Sequence, residues 1–254
     1  MKIAIIQAEL VWENPSANRN YFEKKINSIK EAVDLIILPE MFSTGYTMNP
    51  VHVAETMSGE TVSWMQSLAK AKNVAITGSI VIEDHNHFYN RLLFVFPSGE
   101  IQFYDKRHLF TLAGEEKVYT AGQKKLIVDY LGWKICPLIC YDLRFPVFSR
   151  NVENYDLLLY IASWPEKREH AWDSLLKARA IENMSYAIGV NRIGVDNNGH
   201  QYSGHSQVVD YLGEYLLTPQ ELESVFIVEL DKEIMHSVRG KMGFLNDKDA
   251  FQMF

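Results

Sequence analysis

An α/β fold in which mixed sheets are flanked by helices is what this 254-residue sequence predicts, on three observations. Short apolar runs with strand character alternate with segments whose apolar residues recur at helical spacing, along most of the chain. Hairpin signals interrupt that alternation, at Pro97-Ser-Gly-Glu100 and at Leu131-Gly132, so some strand neighbours must run antiparallel. Finally, three strand-like runs end on a reactive side chain: Val33-Asp-Leu-Ile-Ile-Leu-Pro-Glu40 on a carboxylate, Ile101-Gln-Phe-Tyr-Asp-Lys106 on an amine, and Lys134-Ile-Cys-Pro-Leu-Ile-Cys140 on a thiol. In open α/β sheets, the reacting groups sit just beyond the carboxyl ends of strands.

The elements follow in order. Residues 2 to 8 form an apolar strand. Asn14-Pro-Ser then starts a helix whose Phe22, Ile26, Ile29 and Val33 share one face. Asp34 to Leu38 reads as a buried strand closed by Pro39 and Glu40. Met41 to Ser58 has no clear period and is expected as a long loop, which in a compact domain often serves function. Gly59-Glu-Thr opens a helix through about Lys72, with Val62, Met65 and Leu68 inward. Asn73 to Glu83 and Phe88 to Phe96 are strands around the turn Asp84-His-Asn-His87, and Ile101 to Tyr104 follows the next hairpin. A second long loop runs from Arg107 to Gly122. Lys125 to Tyr130 and Trp133 to Cys140 form a hairpin, and Pro137 inside the second strand suggests a bulge, because proline cannot donate to a ladder.

Phe148 to Asn154 reads as a short helix and Asp156 to Ala162 as a strand. A helix from about Glu169 to Met184 places Ala171, Leu175, Ala178 and Ile181 on one stripe. Ala187 to Ile193, Gln201 to Asp210, Glu214 to Leu217 and Ser224 to Leu230 complete the strands. Asp231 opens a last short helix, before an irregular tail. With no internal repeat, low-complexity tract or linker, residues 1–254 are expected to form one domain.

Composition excludes several classes of function. Hydrophobic residues make up 47% and charged residues 22%, as in ordinary globular proteins. A net charge of -7 without any basic stripe argues against nucleic acid as a partner. Apolar runs such as Leu157-Leu-Leu-Tyr-Ile-Ala162 are far short of the roughly 18 residues a membrane span needs, and the first apolar run ends too early for a signal peptide. Cys136 and Cys140 provide no disulfide framework. A cytoplasmic protein is expected. His85-x-His87 beside Asp84 lacks further ligands at a recognisable spacing, so neither metal nor cofactor is expected.

A cysteine nucleophile works as its thiolate and needs a neighbour that takes the proton or stabilises the anion. A glutamate would do the first and then pass the proton to a leaving amine. A lysine would do the second and hold the oxyanion of a tetrahedral intermediate. Taken singly, each residue has a plainer explanation: Cys140 as a packed thiol, Glu40 as a capping carboxylate, Lys106 as part of a solvated charge run. His108, two residues past Lys106, leaves a Cys–His arrangement open as an alternative. Spacing does not show that Glu40, Lys106 and Cys140 converge.

The stretches Leu-Pro-Glu40-Met-Phe, Tyr-Asp-Lys106-Arg-His and Leu-Ile-Cys140-Tyr-Asp-Leu-Arg-Phe-Pro resemble, in order and spacing, the three signature segments of the nitrilase superfamily of carbon–nitrogen hydrolases. The likeness covers essentially the whole chain. It implies a four-layer αββα sandwich that pairs with a second subunit, with Glu40 as general base and acid, Lys106 as oxyanion stabiliser and Cys140 as nucleophile. The N–H of Tyr141 would complete the oxyanion hole. A second glutamate is implied after the lysine, and Glu115 fits best, with Glu116 adjacent to it.

Within that superfamily, Pro-Glu-Met-Phe-Ser-Thr-Gly-Tyr, Tyr-Asp-Lys-Arg-His-Leu-Phe and Cys-Tyr-Asp-Leu-Arg-Phe-Pro-Val are most similar to the omega-amidase group. The resemblance implies hydrolysis of 2-oxoglutaramate or 2-oxosuccinamate to the 2-oxo dicarboxylate and ammonia through a cysteine thioester. Such a substrate requires a cation for its distal carboxylate, since an unpaired buried charge is very costly. Arg144 matches the group's carboxylate-binding arginine and can offer a bidentate fork; its structural alternative is to hold the loop by pairing with Asp142 or a backbone carbonyl. Tyr46 and Trp164 would wall a small pocket. The alternatives are another amidohydrolase of the superfamily, acting on an aliphatic amide, a carbamoyl amide or a nitrile, and a non-catalytic binding protein on the same fold. A homodimer or higher homo-oligomer is expected, with the tail from about residue 240, which carries Phe244, Phe251 and Phe254, packing on the partner.

Overall fold

The computed structural model describes residues 1–251, and Phe254 lies outside the described residues. Two six-stranded sheets carry the chain. The first is ordered β14-β1-β2-β3-β4-β5, with β1 (Lys2–Gln7), β2 (Leu35–Ile37), β3 (Ala75–Asp84), β4 (His87–Val95), β5 (Ile101–Asp105) and β14 (Ser224–Glu229). The second is ordered β13-β12-β9-β8-β7-β6, with β6 (Val128–Tyr130), β7 (Trp133–Ile139), β8 (Leu157–Ala162), β9 (Tyr186–Asn191), β12 (Gln207–Val209) and β13 (Tyr215–Leu217). Each sheet has three parallel strands at its centre, β1-β2-β3 and β7-β8-β9, and antiparallel partners outside them. A two-stranded ribbon, β10 (Ile193–Val195) with β11 (Gln201–Ser203), stands apart.

The period-2 alternation of the strands sorts side chains between layers. In β1, Ile3 and Ile5 join the core shared with the second sheet, while Ala4 and Ile6 meet Phe22 and Ile26 of α1 (Pro15–Ser28) and Met65 and Leu68 of α3 (Glu60–Lys72). A helix layer thus covers the outer face of the first sheet. On the second sheet, α5 (Glu169–Asn183) lies close over β9: a Cβ on Gly189 would stand 2.3 Å from Leu176 Cδ1 and 2.6 Å from Trp172 Cζ2. Only glycine admits that approach. The outcome is the four-layer αββα arrangement. Asn14 caps α1 by accepting from the Ala17 N–H at 3.0 Å, with Pro15 at the first helical position. Asp231 does the same for α6 (Lys232–Met242) through the Ile234 N–H.

Several local expectations need correction. No bulge forms at Pro137. It pairs in register with Leu159, and β6 ends opposite Ile135, so the proline occupies the part of β7 with one strand neighbour. The buried stripe of α5 is Trp172, Leu176, Ala180 and Asn183, not the stripe through Ile181, which is 47% exposed. The span Gln201 to Asp210 is broken by Gly204 and His205, both at positive φ, where the chain turns so that Ser206 N–H reaches Gln7 Oε1. The two long loops hold short helical turns, α2 (Pro50–Val53) in the first and two single turns in the second. The short helix expected from Phe148 to Asn154 is instead the single turn α4 (Pro146–Ser149). In the tail, Phe244 and Phe251 are 59% and 42% exposed. No described helix is long and apolar enough to cross a membrane.

Candidate active site

Glu40, Lys106 and Cys140 stand at the exits of β2, β5 and β7, where the two sheets bring their carboxyl ends together. The structure joins them with Glu115 in a closed ionic cluster. Lys106 Nζ lies 2.9 Å from Glu40 Oε1 and 2.9 and 3.0 Å from the two oxygens of Glu115, and all three side chains are shut off from solvent. Of the two adjacent glutamates, Glu115 enters this cluster and Glu116 faces solvent. A buried carboxylate is tolerable only when its lone pairs are met. Glu40 Oε1 also accepts from Asn90 Nδ2 at 2.8 Å, and Oε2 accepts the Ser163 N–H at 2.7 Å. Glu115 Oε2 accepts the Phe110 N–H at 2.6 Å.

These partners set the protonation states. Burial by itself would lower the Lys106 pKa, but the carboxylates of Glu115 and Glu40 more than offset it and hold the ammonium well above its ordinary range. Burial pushes the Cys140 thiol well up, the Glu40 carboxylate pushes it further, and Lys106 opposes both. The resting thiol is therefore neutral. A thiolate needs the proton to leave when a ligand arrives; the sulfur's hydrogen bond here is to the Ser163 carbonyl at 4.0 Å, and Glu40, which accepts the Ser163 N–H, is the carboxylate whose charge bears most on the thiol.

Cys140 adopts φ 44° as the strand turns into a short helical turn, Cys140–Arg144. A left-handed conformation at a non-glycine residue costs about 1–3 kcal/mol and persists only where its surroundings impose it. Asp142 supplies that constraint. Its Oδ2 accepts the Ile139 N–H at 3.0 Å and the Tyr104 hydroxyl at 2.7 Å, while its Oδ1 accepts the His108 N–H at 3.1 Å. One buried carboxylate thus ties the turn after β7 to the segments on either side of Lys106. His108 is engaged here as well: its Nδ1 lies 2.7 Å from Asp142 Oδ1 and its ring stacks on Phe145 at 3.7 Å. Asp142 is therefore not the partner of Arg144. The Tyr141 N–H belongs to the first turn after the sulfur, where backbone donors have no partner within the turn.

Above the thiol opens a pocket of about 550 Å³. Cys140, Ser163 and Tyr46 line it together with the aromatic Trp164 and Phe110, and Arg144 and Arg168 bring positive charge. The Tyr46 ring sits 5.2 Å from Lys106 Nζ. Its hydroxyl is buried without a hydrogen-bond partner, and burial raises its pKa well above the usual phenol range. The Arg144 guanidinium stacks over Trp164 at 5.0 Å and is exposed.

Sequence reasoning passed over Asn90, Ser163 and Arg168, and considered Asp142 only as a partner for Arg144. Ser163 was within reach of the strand-exit rule, since it directly follows β8. Asn90 lies inside β4 and gives no such signal. One His/Asp/Glu group, Glu169, Asp173 and His205, stands away from the pocket lining. Both ring nitrogens of His205 already face carboxylates, Nε2 at 3.3 Å from Glu169 and Nδ1 at 3.0 Å from Asp173.

Comparison with known proteins shows the family to which the chain belongs. Residues 2–239 match the carbon-nitrogen hydrolase family. The chain is 41% identical to omega-amidase YafV of Escherichia coli (strain K12) over 255 aligned positions, 100% of this chain and 99% of that protein. It is 31% identical to 2-oxoglutaramate amidase of Bacillus subtilis, covering 98% of both. Among solved structures it superimposes on XC1258 of Xanthomonas campestris, a CN-hydrolase superfamily protein described with an arsenic adduct in its active site, with TM-score 0.98, 39% identity and coverage of 100% and 99%. By sequence over nearly its full length and by fold, the chain belongs to the carbon-nitrogen hydrolase family.

Proposed function

We propose that the protein is an omega-amidase, hydrolysing the terminal amide of 2-oxoglutaramate or 2-oxosuccinamate to the 2-oxo dicarboxylate and ammonia. The observation that carries this reading is an enclosed Glu40–Lys106–Glu115 cluster beside Cys140, together with an exposed Arg144 that lines the same pocket as Cys140 and has no salt bridge among the described residues. The relatives named for omega-amidase and 2-oxoglutaramate amidase activity support the same substrate class.

The chemistry runs as acyl transfer to sulfur and then to water. Glu40 takes the Cys140 proton as the sulfur attacks the amide carbon. The oxyanion is held by Lys106 Nζ and the Tyr141 N–H. Glu40 returns the proton to the nitrogen, the C–N bond breaks, and ammonia departs from a thioester. A water that gives its proton to Glu40 attacks that thioester, the C–S bond breaks, and the thiol is regenerated. Glu115 keeps Lys106 protonated and placed throughout. Arg144 receives the distal carboxylate, with Trp164 and Tyr46 as walls. None of these steps calls on a metal or organic cofactor. The setting we propose is a cytoplasmic one-domain homo-oligomer, with the exposed Phe244 and Phe251 of the tail at the subunit contact.

The test is ammonia release from 2-oxoglutaramate, run beside glutamine and a simple aliphatic amide. Turnover of the 2-oxo amide far above the others, lost in Cys140→Ala, is the expected result. Equal turnover of the uncharged amide would instead make the protein a general amidase of the family. A folded protein that turns over none of them would be a binding protein on this fold.

A further inference from the structure

A second guanidinium residue lines the same pocket as Arg144. Arg168 lies in the turn before α5, lines the same cavity as Cys140, and stacks over the Phe110 ring at 5.0 Å. Among the described residues, neither guanidinium has a salt bridge or a hydrogen bond. Such stacking fixes the plane of the fork on one face and leaves its N–H edges free. The two stacks are also coupled, since Trp164, which carries Arg144, donates its Nε1–H to the Arg168 carbonyl at 2.8 Å. Among the described residues, neither acid lining the cavity forms a salt bridge with the pair. Asp196 is occupied by the Tyr202 hydroxyl and by the N–H groups of Asn198 and His200, and Glu13 accepts from the Thr47 hydroxyl.

Two free forks in one small pocket are more than a single carboxylate needs. We infer that Arg168 reads the carbon next to the substrate's carboxylate and so selects a 2-oxo acid amide over the matching 2-amino acid amide. A 2-oxo acid presents its carboxylate and keto oxygens as adjacent acceptors, which two guanidinium edges can share. An amino acid presents an ammonium at that carbon, which brings no acceptor and meets a second positive charge. Arg144 takes the carboxylate and Arg168 takes the keto oxygen. This inference rests on the omega-amidase reading and adds the residue that separates 2-oxoglutaramate from glutamine.

The experiment is steady-state kinetics of wild type, Arg168→Gln and Arg168→Lys on 2-oxoglutaramate, L-glutamine and an uncharged aliphatic amide, with melting temperatures for all three proteins. Arg168→Gln is expected to lower kcat/KM for the 2-oxo amide by about 10- to 100-fold, mainly through KM. The other two amides should change less than about threefold, so that the preference for the 2-oxo acid collapses. Arg168→Lys keeps the charge and should retain part of the preference. An equal loss on all three substrates would overturn the inference and leave Arg168 as a support for Phe110 and its loop. An unchanged preference would overturn it too. Wild-type indifference to the 2-oxo acid would remove the omega-amidase reading itself, a failure visible before any variant is compared.

Discussion

The protein keeps its charges in two contrasting places. Beside Cys140, Glu40, Lys106 and Glu115 are fully buried, and the two carboxylates share one ammonium within about 3 Å and take their remaining hydrogen bonds from N–H donors. At the wall, Arg144 and Arg168 rest on aromatic faces and, among the described residues, form no salt bridge. Charges that satisfy one another hold a geometry, and charges left open await a ligand. The difference assigns labour: the closed cluster serves the step common to any amide, and the open guanidiniums serve recognition of a particular one.

Breaking the closed region should have the larger effects. Cys140→Ala, which removes the sulfur beside that cluster, is expected to lower kcat/KM by about 10⁴-fold or more while the protein stays folded, checked by ammonia release and circular dichroism. Lys106→Met leaves two carboxylates buried without their cation and should cost about 3–5 kcal/mol of stability, read from denaturant unfolding. If that variant unfolds at the wild-type denaturant midpoint, the cluster is not the ionic unit described here.

Removing a free charge should behave differently. Arg144→Ala is expected to lower kcat/KM for the 2-oxo amide by about 10- to 100-fold, with the unfolding midpoint unchanged, because an exposed guanidinium with no partner contributes little to the fold. A large stability loss instead would give Arg144 a structural role.

The pH dependence probes the closed side again. Lys106, Cys140 and buried tyrosines such as Tyr104 and Tyr155 all have folded-state pKa values raised above their ordinary 10.5, 9.0 and 10.0. A raised folded pKa means that the protonated group stabilises the fold below the ordinary value, and that this contribution is lost as pH rises through the folded one. Unfolding free energy should therefore be insensitive to these groups at neutral pH and decline from about pH 9 upward, measured by urea titrations across pH. The same raised thiol predicts slow alkylation of Cys140 at pH 7, quickening with pH. The smallest effect belongs to Glu116→Gln, within about 0.5 kcal/mol and without change in turnover, against the marked loss expected from Glu115→Gln.

Much of this was legible in the chain. Period-2 and 3.6-residue apolar patterns located nearly all the elements, because burial on one face leaves a periodic trace. The exits of β2, β5 and β7 carried Glu40, Lys106 and Cys140 at positions where strands deliver side chains to a site. Errors arose where the deciding contact is tertiary. The stripe through Ile181 is as apolar as the one through Leu176, and only the bare Gly189 beneath the helix selects between them. Pro137 was read against a continuous ladder, whereas β6 stops before reaching it.

What the sequence determined by itself was the set of reactive groups and their strand-exit placement, since both follow from local pattern and residue chemistry. Which groups meet was decided by the tertiary structure alone. The choice of Glu115 over Glu116, the engagement of Asp142 with Tyr104 and His108 rather than Arg144, and the freedom of Arg168 all depend on distances across sheets and loops. Electrostatic energy depends on separation in space and on burial, and separation along the chain carries neither.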